Sequence, residues 1–434
     1  MFRSCGDSVD MRAFPGRAFW GAALCCLTAL AAWAGEAPAA WGKDAPVYQS
    51  RGGLGYLQFC AACHRLDGTG APGVFSPLAG NPRALDEAPG FAIRRVLFGG
   101  FGARGNHVFR MPSFASLRDE EIAEILSFVR ASWGGEGGPV TAAQVAAERQ
   151  DAASPPPSAT PRRFADFLAS PQADLLLRGL REIYDTKRQL PGNVGAALNC
   201  ASCHVNAGTS ALAAPYWGLA GAFPIYYPRA GRVITLAQRV NDCFQRSLNG
   251  TPLAEESPEM AAIVAFISAL PAPAATGEAS GRGIRRIDRS LKPDPARGEV
   301  VFQRSCAVCH GANGDGLRNA AGERLFPPLW GEGSFNLGSG MARAYTAAGY
   351  VLGNMPVAHS LRFPQAQGGL TEQDALDVAA FFSHRPRPDF AGRAHDWPNG
   401  GRPPDARDEQ VSAQVVFLAP LGLAAAAGAD SPRP

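Results

Sequence analysis

The sequence predicts an all-α protein made of three small helical domains in tandem, and three observations support this prediction. At 434 residues the chain is too long for one compact core. The pentapeptide Cys-x-x-Cys-His occurs three times, at residues 60–64, 200–204 and 306–310. Gly (50 residues) and Pro (36 residues) are abundant, which is typical of short helices joined by many loops. The spaced repeat therefore sets the domain map.

The N-terminus has the pattern of an export signal. Arg12 and Arg17 precede an apolar run at residues 18–33, and small residues follow around Ala34. The run is too short and too rich in Ala for a typical membrane span, although a retained N-terminal anchor is the alternative. We therefore predict a signal peptide at residues 1–34 and a periplasmic location. The net charge of +3 gives no indication of nucleic-acid binding.

Each Cys-x-x-Cys-His motif is the attachment sequence of a c-type haem, because its thiols can add to the haem vinyl groups. The six thiols are Cys60, Cys63, Cys200, Cys203, Cys306 and Cys309. The adjoining His64, His204 and His310 can ligate the iron on the proximal side. Zinc is the alternative, but it needs further paired ligands, and only four of the seven His lie outside the motifs. We therefore predict three haem c groups.

The first and third domains, predicted at residues 45–133 and 291–386, share the sequence that precedes the motif. A Gly and an aromatic residue precede it at four-residue intervals: Gly52 and Tyr56 in one, Gly298 and Phe302 in the other. This pattern resembles the N-terminal helix of class I cytochromes c, whose Gly lets the C-terminal helix cross closely. Matching C-terminal helices are predicted at residues 117–128 and 370–381, the second with an N-cap at Thr371.

The same two domains each offer a distal iron ligand. Met111-Pro112 follows His64 by 47 residues, and Met355-Pro356 follows His310 by 45 residues. A following Pro holds the Met backbone extended, which can direct the thioether inward. We predict Met111 and Met355 as axial ligands. The alternatives are His107 and His359.

Segments rich in Gly, Ala and Pro join and follow the domains. We predict linkers at residues 134–161, which include a Ser-Pro-Pro-Pro run, and at residues 272–290. Residues 387–434 form a Pro-, Gly- and Ala-rich tail. Its apolar run at residues 411–427 contains Pro420, so we predict disorder there rather than membrane contact.

The second domain, predicted at residues 162–271, departs from the pattern. No Gly-x-x-x-aromatic helix precedes Cys200, and no Met-Pro pair follows His204. Met260 lies in an apolar helix at residues 258–270, where core packing is the expected role. The domain has instead Cys243, the one cysteine outside both the motifs and the signal region. In an oxidising compartment an odd thiol requires an explanation.

Cys243 lies in a segment predicted as one helix, residues 235–250. Thr235 and Gln238 match a capping box at its start, and Gly250 marks its end. Arg239, Cys243 and Ser247 follow one another at four-residue intervals, so they share a helix face.

That face combines a cation, a thiol and a hydroxyl. Arg239, together with Arg229 upstream, would favour the thiolate form of Cys243 and hold an oxyanion by forked hydrogen bonds. A thiolate is also a strong ligand for haem iron. The alternative is that Cys243 is a small buried apolar residue and the arginines are solvated.

Residues 165–386 resemble the dihaem thiosulfate dehydrogenases, which are periplasmic enzymes that join two thiosulfates into tetrathionate. The resemblance depends on six segments: LPGNV at 190–194, APYWGLAGAFP at 214–224, QRVNDCFQRSLNG at 238–250, FPPLWG at 326–331, SFN at 334–336 and NMP at 354–356.

The resemblance implies His204 and Cys243 as the ligands of the active-site haem. It also implies that Arg229, Arg239 and Ser247 hold the substrate, and that His310 and Met355 ligate an electron-transfer haem. Asn354 stands where family members have a Lys that can replace the Met ligand. The N-terminal domain lies outside the resemblance and is interpreted as a fused acceptor cytochrome.

The predicted activity is a thiosulfate dehydrogenase, which passes electrons to a soluble or membrane-bound acceptor such as another cytochrome c. Two alternatives remain at this stage. One is a three-haem electron carrier with no substrate of its own. The other is an enzyme with a different direction or partner, a tetrathionate reductase or another sulfur-oxidation cytochrome.

Overall fold

The described helices fall into three groups, each containing one Cys-x-x-Cys-His motif. The computed structural model describes residues 45–101, 110–135, 137–150, 163–270, 283–356 and 369–407. The chain divides into residues 1–40 and 41–434, and all described residues belong to the second division. The predicted signal peptide, His107, His359 and the run at 411–427 lie outside the described residues.

The first helical group covers residues 45–150. Its helices are α1 (Pro46–Gln49), α2 (Arg51–Phe59), α3 (Ala61–His64), α4 (Gly90–Phe98), α5 (Asp119–Trp133) and α6 (Ala142–Gln150). The strands β1 (Gly100–Phe101) and β2 (Arg110–Met111) pair antiparallel. As predicted, α2 and α5 cross at Gly52, where a Cβ would lie 2.0 Å from the Glu124 carbonyl oxygen. Only Gly permits this approach.

Helix α6 lies inside the segment predicted as a linker. Thr141 and Gln144 form its capping box, and Val145 is fully buried. Arg149 Nη1 and Nη2 donate to the carbonyls of Ala115 and Leu117 at 2.6 and 2.7 Å. The structure thus differs from the prediction here, because a capped helix buries Val145 and packs back onto α5.

The second helical group covers residues 163–270. Its helices are α7 (Ala173–Tyr184), α8 (Thr186–Gln189), α9 (Val205–Gly208), α10 (Leu236–Arg246) and α11 (Pro258–Ser268), with 3-10 turns at Phe164–Ala169, Cys200–Ser202 and Ala220–Ala222. The strands β3 (Ile225–Tyr227) and β4 (Arg232–Ile234) form a hairpin that leads into α10. Met260 is buried in α11, in the core role predicted for it.

The second group also has a crossing glycine, which no spacing to its motif predicts. A Cβ at Gly179 of α7 would lie 2.1 Å from the Ala262 carbonyl oxygen of α11. Ile183 stands where the other groups have an aromatic residue, and the helix ends well before Cys200. Because α8 and a loop separate α7 from the motif, the expected four-residue spacing is absent.

The third helical group covers residues 283–407. Its helices are α12 (Pro295–Ser305), α13 (Ala307–His310), α14 (Ala344–Asn354) and α15 (Glu372–Ser383), with 3-10 turns at Gly340–Ala342 and Ala391–His395. The Thr371 cap is present, since its hydroxyl accepts from Asp374 N at 3.0 Å. Gly298 allows α12 and α15 to cross, with a Cβ-to-Asp377 oxygen distance of 2.0 Å.

Residues 387–407, predicted as the start of a tail, are folded against this group. Arg387 is only 2% exposed and donates to the Phe382 carbonyl at 2.6 Å. Asp405 accepts from Tyr345 N at 3.0 Å. The structure therefore differs from the tail prediction, because buried arginines and backbone bonds anchor this segment.

The first group makes specific contacts with the other two. Arg163 forms a buried two-bond ion pair with Glu121 at 2.5 and 3.1 Å. Tyr184 donates to the Leu57 carbonyl at 3.0 Å. The rings of Phe75 and Phe326 lie 6.0 Å apart. The first group is therefore docked by side-chain contacts in addition to its covalent connection.

Apart from the two short ribbons, the described residues form helices, 3-10 turns and loops, which confirms the all-α prediction. Within this part of the chain, no helix has the length and apolar character needed to cross a membrane.

Candidate active site

The three proximal imidazoles are held in the same way. The Nδ1 atoms of His64, His204 and His310 bond the carbonyl oxygens of Ser76, Ala214 and Pro327 at 2.9, 2.6 and 2.8 Å. A carbonyl can only accept, so Nδ1 carries the proton and Nε2 keeps a lone pair for a metal. Burial lowers the pKa of all three, that of His204 to about 4, which keeps the rings neutral as ligands must be.

These features fit covalent haem in each group. All seven cysteines among the described residues are free and partly buried. In each motif the His backbone N–H bonds the carbonyl of the first Cys at 2.9 Å, so one tight turn holds both thiols beside the imidazole. A turn of this kind presents the groups that c-type haem attachment requires.

The second group supports its imidazole further. The ring of Tyr216 stacks on His204 with centroids 4.4 Å apart. Gly208 has φ +80, and a Cβ there would lie 2.1 Å from the Tyr216 ring. The close backbone approach keeps Tyr216 against the imidazole.

Cys243 lies beside the thiol pair of the second group. Helix α10 begins at the predicted cap, where Gln238 N donates to Thr235 Oγ1 at 3.2 Å. Burial, and after it the charge of Cys243, raises the pKa of Cys203 to about 12. The fold thus brings Cys243 to the haem attachment site from 39 residues beyond His204 in the chain.

Arg239 contacts this thiol directly. Its Nη1 donates to Cys243 Sγ at 2.9 Å. The Cys243 thiolate is the main reason that the pKa of Arg239 lies above its ordinary value. The guanidinium also lies 5.7 Å from the centroid of the Tyr227 ring on the hairpin. The predicted pairing of cation and thiol on α10 is therefore present.

Arg229 and Ser247 point toward the third group. Arg229 is buried, donates from Nη1 to the Gly338 carbonyl at 2.9 Å and lies over the Trp397 ring at 4.7 Å. Ser247 is the C-cap of α10, and its hydroxyl lies 3.3 Å from that of Ser339. Residues of the second and third helical groups therefore form the site together.

Three charged residues of the site were not found from the sequence. Arg246 bonds both carboxylate oxygens of Asp396 at 2.7 and 2.9 Å. Arg246 also pairs with Asp242, and Asp242 lies 3.4 Å from Arg239. Asp396 in turn lies 3.4 Å from Arg229 Nε. This chain of ion pairs, called the arginine network below, links Arg229, Asp396, Arg246, Asp242, Arg239 and Cys243.

Two of these three residues follow a local sequence pattern, and the third does not. Asp242 and Arg246 are four residues apart on α10, a spacing that predicts an ion pair. Asp396 is 150 residues from Arg246, so no local pattern could have indicated it.

The two predicted methionine ligands lie partly buried against the core. Met355 follows α14 with the extended backbone predicted for it, at φ −123 and ψ 144. Met111 belongs to β2 and pairs with Gly100. The Asn354 amide donates to the carbonyls of Leu212 and Tyr350 at 2.6 and 2.9 Å.

Helical groups with paired thiols and carbonyl-bound imidazoles define a multihaem c-type cytochrome. Comparison with known protein families supports this class. The family described as "SoxA/TsdA, cytochrome c domain" matches residues 188–272. The cytochrome c family matches residues 50–133 and 295–385.

Curated relatives narrow this class. The chain is 42% identical over 231 residues to a thiosulfate dehydrogenase of Psychrobacter arcticus, covering 53% of this chain and 68% of the relative. It is 44% identical over 220 residues to one of Allochromatium vinosum, covering 50% and 79%. A solved thiosulfate dehydrogenase (TsdBA) from Marichromatium purpuratum, in its "as isolated" form, matches with a TM-score of 0.55 and 29% identity, over 81% of this chain and 72% of that one. The chain belongs to the thiosulfate dehydrogenase family.

Proposed function

We propose that the chain oxidises two thiosulfate ions to tetrathionate at the second helical group and passes the two electrons to an external acceptor. Family membership makes it an oxidoreductase that acts on thiosulfate through c-type haems. The observation that carries the proposal is the position of Cys243. Its thiol lies beside the Cys200 and Cys203 pair and accepts a hydrogen bond from Arg239 at 2.9 Å.

We propose three haem c groups, one for each helical group. The proximal ligands would be His64, His204 and His310, and the distal ligands Met111, Cys243 and Met355. When bound, the haems take up the electrons released from thiosulfate and deliver them to the acceptor. The common Nδ1 bond of the three imidazoles supports this assignment.

The reaction joins two dianions: two S₂O₃²⁻ become S₄O₆²⁻ and two electrons, with no proton exchanged. Arg239 and Arg229 offset the repulsion between these dianions, and the Ser247 hydroxyl can donate to a sulfonate oxygen. The arginine network keeps the arginines in place, because Asp396 and Asp242 hold them from the protein side.

Cys243 can also act as a nucleophile. Its thiolate would bond the outer sulfur of one thiosulfate, with loss of two electrons, to give a cysteinyl S-thiosulfonate. The second thiosulfate then attacks that sulfur, forms the central bond of tetrathionate and releases the Cys243 thiolate. The Arg239 hydrogen bond stabilises the thiolate at the start and the end of the cycle.

We propose that electrons travel from the second group to the third and then to the first. Burial, and after it the charge of Cys309 in the third group, raises the pKa of Cys63 to about 12. The rings of Phe75 and Phe326, 6.0 Å apart, place the first and third groups in contact and support this order. The final acceptor would be a soluble or membrane-bound protein such as another cytochrome c, in the periplasm.

The test replaces Cys243 with Met. We expect the variant to lose thiosulfate-dependent haem reduction and the low-spin thiolate signal in electron paramagnetic resonance. Mass spectrometry should still find three haems per chain. The control is Met260→Leu, which changes a buried sulfur of the same group that packs in the core.

Full turnover in Cys243→Met, or loss of turnover in Met260→Leu alone, would refute the assignment. Assays of the unaltered holoenzyme with thiosulfate and an artificial acceptor, and with tetrathionate and a reduced dye, measure the direction. A protein that only reduces tetrathionate would contradict the proposal.

A further inference from the structure

Two aromatic rings join the first and third helical groups at equivalent places. Phe75 directly precedes the residue whose carbonyl oxygen accepts the Nδ1 bond of His64 at 2.9 Å. Phe326 directly precedes the residue whose carbonyl oxygen accepts the Nδ1 bond of His310 at 2.8 Å. Both side chains are half-buried, and their ring centroids lie 6.0 Å apart with the ring planes tilted by 53°. The two loops that fix the proximal imidazoles therefore meet ring to ring.

The two loops are also built alike. A glycine six residues after each proximal imidazole donates back to it: Gly70 N to the His64 carbonyl at 3.1 Å, and Gly316 N to the His310 carbonyl at 2.8 Å. Both glycines have a positive φ, +64 and +83, and a Cβ on them would lie 2.5 and 2.3 Å from the carbonyl oxygen of the ring-bearing residue. Only Gly permits this packing, which leaves the loop little freedom. Each ring thus keeps a fixed position relative to its imidazole.

Other contacts of the first group hold it to the second group. Arg163 pairs with Glu121 at 2.5 and 3.1 Å, and Tyr184 donates to the Leu57 carbonyl at 3.0 Å. Glu121 and Leu57 belong to α5 and α2, not to the loop that bonds the proximal imidazole. The ring contact is therefore separate from these anchors, and it sets where the proximal loops of the first and third groups stand relative to each other.

We propose that Phe75 and Phe326 are positioning residues for electron transfer from the third group to the first, which depends on the haem assignment and the electron order given under Proposed function. Each transfer oxidises the third iron site and reduces the first by one electron, with no proton exchanged. The Nδ1 bonds leave Nε2 of each imidazole for iron, so each ring stands one residue and one hydrogen bond away from an iron ligand. Electron transfer slows steeply as the separation of the two sites grows. A contact that fixes the two loops therefore controls the rate.

The test compares Phe75→Ala with Phe91→Ala in the holoenzyme. Phe91 is an exposed residue on α4 of the first group, with the guanidinium groups of Arg83 and Arg95 at 5.4 and 5.3 Å from its ring. Flash reduction by a photosensitised donor, followed by rapid freezing and electron paramagnetic resonance, gives the rate at which an electron passes from the third site to the first. We expect Phe75→Ala to lower this rate roughly tenfold, which corresponds to about 1.4 kcal/mol of lost docking free energy. Phe91→Ala should leave the rate unchanged.

Redox titration separates positioning from a change in driving force. The midpoint potentials of the first and third haems should stay unchanged in Phe75→Ala, because the carbonyls that bond the two imidazoles belong to the backbone of neighbouring residues. Phe75→Leu keeps an apolar side chain in the contact, so its rate should fall between those of Phe75→Ala and the unaltered enzyme. A slower rate that is accompanied by a shifted midpoint potential in either variant overturns the positioning role.

The partner ring tests the contact from the other side. Phe326→Ala removes the same contact as Phe75→Ala, so the double variant should be about as slow as either single variant. Mass spectrometry should find three haems per chain in all of them. If the two losses multiply in the double variant, or if the rate in Phe75→Ala stays within about twofold of that in the unaltered enzyme, the proposal is overturned.

An unaltered rate would also be the result if electrons reached the first site directly from the second. These measurements use a photosensitised donor and no thiosulfate. Their failure would therefore refute the role of the ring contact alone, while Cys243→Met tests the catalytic assignment separately.

Discussion

Replacing Arg239 with Gln removes the charged donor that contacts the candidate nucleophile. The Nη1–Sγ distance is 2.9 Å, and a hydrogen bond to a charged group contributes about 1.5–3 kcal/mol. The Arg239 side chain is 35% exposed, and Asp242 at 3.4 Å offsets part of its charge, so the lower half of that range applies. If the transition state loses about 2 kcal/mol of stabilisation, kcat/KM for thiosulfate falls roughly 30-fold.

The assay is steady-state oxidation of thiosulfate with an artificial acceptor, at several ionic strengths. Arg239→Lys keeps the charge but loses the forked geometry, so its activity should fall between those of Arg239→Gln and the unaltered enzyme. The matched control is Arg232→Gln, which removes an exposed hairpin arginine whose Nη1 donates to Gln238 at 2.9 Å. Its kcat/KM should change less than twofold, roughly as expected for a surface charge.

A kcat/KM for Arg239→Gln within about twofold of the unaltered enzyme would refute this reasoning. An equal loss of activity in Arg239→Gln and in the control Arg232→Gln would also refute it, because the effect would then not come from the contact with Cys243.

Two further predictions concern stability. Asp396→Ala breaks a buried ion pair with Arg246. Because Arg246 keeps its second partner Asp242, we expect the free energy of unfolding to fall by about 2–3 kcal/mol. At about 2–4 °C per kcal/mol, the Tm of the holoenzyme should fall by roughly 4–12 °C, whereas Asp389→Ala, at an exposed pair, should change it little. Burial raises the pKa of Glu182 to about 7, so the folded chain holds this proton more tightly than the unfolded chain. The stability contributed by Glu182 is then present below pH 4.5 and is lost as the pH rises to about 7, and Glu182→Gln should remove this part of the pH dependence of the Tm.

Equal Tm changes in the two aspartate variants would show that Asp396 does not anchor the C-terminal segment. For Glu182, an identical slope of Tm against pH in the variant and the unaltered protein would contradict the prediction.

Local patterns predicted the parts of the site that lie within one element. The capping box of α10 and the Arg239–Cys243 pairing each depend on residues a few positions apart. Helical periodicity determines such features, so a single sequence is enough to predict them. The crossing at Gly298 was expected only from the resemblance to class I cytochromes c, because it joins α12 to α15.

Three features could not be predicted in this way. The sequence predicts a linker at α6, because its short apolar face resembles any Ala-rich segment until α5 is present to cover it. Gly179 carries no local signal, because α8 and a loop separate its helix from the motif. The sequence predicts a tail at residues 387–407, because Asp396 and Asp405 find their partners in distant parts of the chain.

By itself the sequence determined three haem attachment motifs, an all-α fold and a thiol with an adjacent arginine in the second domain. Covalent chemistry at fixed spacing and helical geometry are sufficient for these conclusions. Only the tertiary structure decided that Asp396 closes the arginine network, that Asn354 of the third group bonds Leu212 of the second, and that the first group is docked by Arg163 and Glu121. Charge pairing and desolvation depend on distance in space, and the fold brings together residues that the chain separates by 42 to 150 positions.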